Sequence, residues 1–197
     1  MDQVKQQGAK AIVSGPFGSS IGSKFFVSEG IPIIRGNNLT TSMDRFVDEG
    51  FVFLTIEKAK EFENCEAISN DIVVTAAGSI GQIGIIPETA RYSKYIISNK
   101  QLRARLDSSK IMPLFAFYWL SSPWMVQYIQ QRNTGSSVPL INLSVLRSLP
   151  IPLPPLPEQR AIAAILSSLD DKIELNRKLN ATLEEIARTL FTAWGSL

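Results

Sequence analysis

An α+β fold is predicted for this chain: a bent, β-rich domain with short helices over residues 1–155, then one long C-terminal coiled-coil helix over residues 156–197. Three observations predict it. Short runs rich in β-branched residues, parted by glycine and asparagine clusters, fill the first hundred residues. From Leu156 onward an apolar stripe recurs at alternating steps of four and three, the heptad of a coiled coil. Between them residues 149–156 read LPIPLPPL, and prolines at this density hold an extended backbone with few amide donors.

Residues 31–35 (IPIIR), 51–54 (FVFL), 72–75 (IVVT), 83–86 (IGII) and 101–106 (QLRARL) read as strands of one strongly bent sheet. Residues 112–132 carry a helical pattern interrupted by Ser121, Ser122 and Pro123. There a serine can cap a second helix that begins with proline, so two short helices are expected. Residues 133–139 (NTGSSVP) form a polar loop, and residues 141–146 suit a single helical turn. The proline strap would lie on apolar surface, Pro157, Glu158 and Gln159 would form the first turn of the long helix, and Gly195 would stop it.

The seam of that helix comprises Ile162, Leu166, Leu169, Ile173, Asn176, Asn180, Leu183, Ala187, Leu190 and Trp194. No complementary stripe exists elsewhere in the chain, so the reading is a dimer interface, against the alternative of a helix docked on its own domain. In an antiparallel pair every layer closes about one centre near position 178. Leu166 then meets Leu190, Leu169 meets Ala187, Ile173 meets Leu183, Ile162 meets Trp194, and Asn176 meets Asn180. Two central amides that must find each other set register, although a parallel pair would also match them, and the flanking charges do not discriminate. Ile165, Leu179, Ile186 and Ala193 widen the stripe beyond what two helices need, pointing to a larger bundle.

The composition narrows the chemistry. The 197 residues include no histidine and a single cysteine, Cys65. That leaves no histidine-based acid–base pair or triad, no zinc-ligand cluster and no internal disulfide, and it makes Cys65 a small buried side chain. No phosphate-binding GxxxxGK[ST] loop occurs, and the glycines of residues 78–84 (GSIGQIG) have turn spacing rather than that of a dinucleotide fingerprint. No catalytic site, metal or cofactor is expected. The polar start and the absence of a membrane-length apolar run lead to the expectation of a cytoplasmic protein.

Net charge is only +2, but it is segregated. Residues 44–71 hold eight acids and three bases, a net of −5, whereas residues 91–147 hold eight bases and one acid, a net of +7. A basic segment of this kind suits phosphate contacts, for which Arg91, Lys94 and Lys100 are the candidates. Three polar loops carry residues able to read base edges. Residues 14–20 (SGPFGSS) offer amides and hydroxyls, Arg35, Asn37 and Asn38 offer a guanidinium beside two amides, and Arg132, Asn133 and Ser136 repeat that chemistry. Arginine matches the paired acceptors of guanine, and asparagine the donor–acceptor pair of adenine.

Residues 14–20, residues 31–37 (IPIIRGN), residues 134–139 (TGSSVP), residues 149–160 (LPIPLPPLPEQR) and residues 169–173 (LDDKI) together resemble the DNA specificity subunit of type I restriction-modification systems, over nearly the whole chain. The resemblance implies that residues 1–155 are a target recognition domain for double-stranded DNA and that the long helix is a spacer. It also implies docking to methyltransferase (modification) subunits, with a restriction subunit as a further partner, and no catalysis by this chain. Family members usually carry two recognition domains and two spacers, and this chain shows one of each, so a homodimer reading an interrupted palindrome is expected. The rival readings are a recognition-domain fragment of a DNA methyltransferase and a coiled-coil adaptor that does not bind DNA.

Overall fold

In the computed structural model, which describes residues 1–8 and 10–195, the bend of the β-rich region goes so far that it divides into two four-stranded sheets. The first runs β1 (Ile12–Ser14), β8 (Gln101–Ala104), β5 (Ile72–Thr75), β6 (Ile83–Ile85), all neighbours antiparallel. The second runs β3 (Val52–Leu54), β2 (Ile31–Ile34), β7 (Tyr95–Ile97), β4 (Glu66–Ala67), with β2 and β7 parallel. The five expected strands are present, β5 at its full expected length and the other four trimmed by one or two residues. Strands β1, β4 and β7 were not expected. They are two or three residues long, too short for a period of two to show.

Every residue of β5 and β8 is buried, because the first sheet is covered on both faces. Ile72, Val74, Leu102 and Ala104 face a helical layer, whereas Val73 packs with Ile34, Tyr95 and Ile97 of the second sheet. Two-sided burial explains why β5 is apolar without alternation. The helical layer holds α2 (Pro113–Leu120), α3 (Pro123–Gln130), α4 (Leu143–Ser148) and the start of α5 (Leu156–Gly195); the short α1 (Ile56–Lys60) follows β3. The break between α2 and α3 falls where the serines and proline lie, with Ser122 Oγ accepting from the Met125 amide at 3.3 Å. In the proline strap Ile151 packs on the helical core, and Pro150 O accepts from Trp119 Nε1 at 2.8 Å.

The long helix begins at Leu156 and carries two stripes rather than one. Gln159 and Ala163 are buried, and Ile162 and Leu166 are half-buried against the helical core. The Gln159 side chain accepts from the Met112 amide and donates to Pro154 O, at 2.8 Å each. The start of the helix is thus docked on its own domain, and Ile162 and Leu166 are shared between that contact and the proposed seam. The other stripe, Ile165, Leu169, Ile173, Leu179, Leu183, Ile186, Leu190 and Trp194, is exposed, and so are Asn176, Asn180 and Ala187. The side chain of Ala193 and all of residues 196 and 197 lie outside the described residues. Among the described residues no helix is long and apolar enough to cross a membrane.

The charge segregation of the sequence is partly cancelled by strand pairing. Antiparallel β5 and β8 bring Asp71, from the acidic segment, beside Arg103 and Arg105 of the basic one. Arg105 donates through Nε and Nη2 to the two Asp71 carboxylate oxygens at 2.8 Å each, and Arg103 Nε lies 4.0 Å from the same carboxylate. Arg103 and Asp71 are buried almost completely. Desolvation pulls the Arg103 guanidinium below its ordinary pKa, and the Asp71 charge opposes that shift. Cys65 is half-buried with Sγ 3.4 Å from Ser14 O, and burial raises its thiol pKa, which suits a packing role.

Candidate nucleic-acid interface

The parallel pairing of β2 with β7 sets the end of β2 beside the end of β7. The turn after β2 (residues 35–37) and the turn between β7 and β8 (residues 98–100, with Gln101 at the start of β8) therefore meet. With residues 75–79 and Gln82 they line a polar cleft of about 420 Å³, to which Ile21 and Phe26 add apolar wall. Arg35, Asn37 and Lys100 all border this cleft. The Arg35 guanidinium donates to Gly50 O at 3.4 Å, while its Nε is buried without a partner. Asn37 is exposed, its Nδ2 donating to Gly50 O at 3.1 Å. Lys100 is exposed at the rim.

Residues 14–20 arrive at the same rim. Gly15 N donates to Gln101 O at 2.9 Å, and a side chain at Gly15 would place its first carbon 1.8 Å from Ser98 O, so only glycine fits that approach. Asn99 Nδ2 donates to Gly18 O at 3.1 Å and Ser20 Oγ to Phe17 O at 2.6 Å. Between these pins the Phe17 ring is 89% exposed. The loop of residues 132–140 is tied to residues 76–78 by Gly78 N donating to Pro139 O at 2.9 Å and Ile141 N to Ala76 O at 2.8 Å. All three polar loops of the sequence thus gather around one cleft.

Not every candidate side chain is free there. Asn38 is fully buried: its Nδ2 donates to Val47 O (3.0 Å) and Glu49 O (2.9 Å), and its Oδ1 accepts from the Arg35 amide (3.0 Å). It holds the turn instead of facing a base. The Asn133 side-chain Oδ1 accepts from Gly135 N (2.9 Å) and Leu140 N (2.8 Å), shaping its loop. Arg132 lies over the Tyr128 ring, 3.2 Å from its centroid, and donates to Tyr128 O at 3.1 Å; Tyr128 stacks in turn on Trp124. Ser136 is exposed on the loop. Arg91 and Lys94 precede β7, at the end of that strand opposite the cleft, and the Lys94 ammonium lies 3.5 Å from Glu66. They do not border the cleft.

Reading the sequence alone missed Ser79, Gln82 and Asn99, and it singled out the loop carrying Phe17 for its amides and hydroxyls rather than for that ring. Gln82 bridges Thr75 Oγ1 (3.0 Å) and Leu39 O (3.1 Å), which ties the floor of the cleft together. The SNK turn at residues 98–100 was the available signal, since three polar residues between two apolar strands mark an exposed connection. The other sheet's contribution depends on β2–β7 pairing across more than sixty residues, which no local pattern reports.

The family profile described as the type I restriction modification DNA specificity domain matches residues 20–185. The chain is 27% identical over 164 residues to the type I restriction enzyme MjaIX specificity subunit of Methanocaldococcus jannaschii, covering 83% of this chain and 37% of that protein. It is 32% identical over 126 residues to the HindI specificity subunit of Haemophilus influenzae, covering 59% and 28%. Among solved structures, the HsdS subunit from Thermoanaerobacter tengcongensis has a TM-score of 0.60 at 15% identity, over 88% of this chain and 37% of that one. The S subunit from M. genitalium has a TM-score of 0.58 at 20% identity, over 88% and 38%. The chain spans less than two fifths of the length of each of these proteins.

Proposed function

We propose that this chain, which belongs to the type I restriction modification DNA specificity domain family, reads one half-site of double-stranded DNA with its polar cleft and pairs with a second copy to read both halves of an interrupted palindrome. The gathering of three separate polar loops at one cleft is the observation that carries this reading. Lys100 meets phosphate, Arg35 and Asn37 read base edges, and Phe17 and Ser136 line the approach. Arg132, Asn133 and Asn38 support the loops; Arg91 and Lys94 contribute only to the surrounding field.

The exposed stripe of α5 supports the pairing. In an antiparallel dimer the projecting half of each helix lies along the docked half of the other, with Leu183 on Ile173 and Leu190 beside Leu166. Two identical domains related by a two-fold axis read inverted repeats. The chain itself performs no chemistry in this reading: modification subunits dock on the widened stripe and supply methylation, and a restriction subunit joins the same assembly. The rival reading of a coiled-coil adaptor predicts no DNA binding at all.

Fluorescence anisotropy against duplex DNA, with and without the modification subunits, tests the cleft. Lys100→Ala is expected to weaken binding to every sequence and to lower the slope of log affinity against log salt by about one per half-site. Arg35→Ala is expected to relax one symmetric base position, at a cost in discrimination of about 1–3 kcal/mol. Wild-type protein with no salt-dependent DNA binding in either setting would overturn the proposal.

A further inference from the structure

Where α5 leaves the domain it is gripped by the loop between β2 and β3. That loop is itself tied to the first sheet, since Ile85 N donates to Arg45 O at 2.8 Å and Ile83 N to Thr40 O at 2.9 Å. Arg45 Nη2 donates to Ser167 O (3.2 Å), Ser167 Oγ (2.9 Å) and Asp171 Oδ1 (3.0 Å), and its Nε lies 3.7 Å from Asp170 Oδ2. Asp170 also accepts from the Tyr118 hydroxyl at 2.6 Å, which joins α2 to the same knot. One turn and a half further along, Arg177 Nη1 meets Asp44 Oδ1 at 2.5 Å. Every described side chain from residue 171 onward is exposed, so these contacts are the last grip the domain has on the helix.

We infer that Arg45 is a positioning residue that fixes the angle between α5 and the domain and thereby the number of base pairs separating the two half-sites. The inference rests on the dimeric reading above. A guanidinium suits this place because it is always charged and its plane is fixed: Nη2 reaches a carbonyl, a hydroxyl and the Asp171 carboxylate while Nε, which makes no hydrogen bond, faces the Asp170 charge at 3.7 Å, a directional arrangement an ammonium does not reproduce. The grip sits at the base of a lever. The helix projects roughly 30 Å beyond it at ~1.5 Å per residue, and a tilt of about 7° over that length moves the far end by about 3.5 Å, roughly one base-pair step. Register between half-sites is therefore sensitive to a loosening that leaves both the cleft and the seam intact. This gives the LDDKI motif at residues 169–173 a role: Asp171 accepts a hydrogen bond from Arg45 and Asp170 pairs with its charge.

The test is selection of DNA by the full chain, with its modification subunits, from a library in which the gap between half-sites varies in length. Wild-type protein is expected to enrich one gap. Arg45→Ala and Arg45→Lys are expected to enrich the same half-site sequence over neighbouring gaps, with preference for the wild-type gap reduced about tenfold. Arg177→Ala, an exposed change that does not threaten folding, should broaden the gap to a smaller degree. Folded variants that keep the single wild-type gap would overturn the inference. Should Arg45→Ala fail to fold, Asp171→Ala, which removes an exposed carboxylate that accepts from Arg45, decides in its place, and an unbroadened gap there overturns the inference equally. A wild-type protein that enriches no inverted repeat would instead bring down the dimeric reading beneath it.

Discussion

Replacing Asp71 with alanine is expected to destabilise the protein by about 3–5 kcal/mol, lowering its melting temperature by roughly 10 °C for a chain of this size. The carboxylate is buried, receives both nitrogens of the Arg105 fork, lies 4.0 Å from the buried Arg103 and accepts from the Ile68 amide at 2.9 Å. Its loss strands the Arg103 charge between the two sheets, where Nε and Nη1 already have no hydrogen-bond partner and Nη2 has Lys10 O at 2.8 Å. Glu66→Ala, which removes the half-exposed Lys94 ion pair, should cost under about 1 kcal/mol. Thermal denaturation of the two variants checks the contrast, and equal small shifts would show that the buried charges are hydrated. The double change Asp71→Leu/Arg103→Met should recover much of the loss, because removing both charges removes the desolvation penalty with the attraction.

Leu183→Asp is expected to dissociate the dimer by at least a hundredfold and to abolish methylation of target DNA in the reconstituted complex, while leaving the melting of the monomer unchanged. Leu183 is 61% exposed in the isolated chain, so the domain does not need it. In the antiparallel seam it packs on Ile173 of the second copy, and the two-fold axis buries the substitution twice. Sedimentation equilibrium reads the association. Spin labels at the two copies of Arg188 then read direction: antiparallel helices place them about 30 Å apart at ~1.5 Å per residue from the centre, and parallel helices about 10 Å apart. A monomeric wild-type chain in the assembled complex would overturn the seam.

The candidate site was partly legible in the sequence. Arg35 and Asn37 were picked out by residue type and loop context and Lys100 by the excess of basic residues around it, and all three border one cleft. Asn38 has the same chemistry as Asn37 and adjoins it, yet it turns inward to satisfy three backbone groups. Which of two neighbouring amides faces solvent depends on where residues 47–49 return, a matter of tertiary structure. The basic segment is divided by tertiary structure in a similar way, because Arg103 and Arg105 answer a buried carboxylate and Lys94 a half-buried one.

By itself the sequence determined the features that local interactions control. The helix break at Ser122 and Pro123, the extended proline strap and the start of the long helix at Leu156 follow from capping, missing amide donors and a periodicity of 3.5 to 3.6 residues, each contained within a few neighbouring residues. Tertiary structure alone decided the division of the strands into two sheets, the burial of Arg103, and the side of α5 that faces its own domain. Arg45 and Ser167 are 122 residues apart, and Asp71 and Arg105 are 34 apart. The second pair forms because β-strands exchange hydrogen bonds with whichever strand the core brings alongside, and the first because packing of α5 on the helical layer brings it past the loop after β2; both partners are selected by the packing of the whole domain.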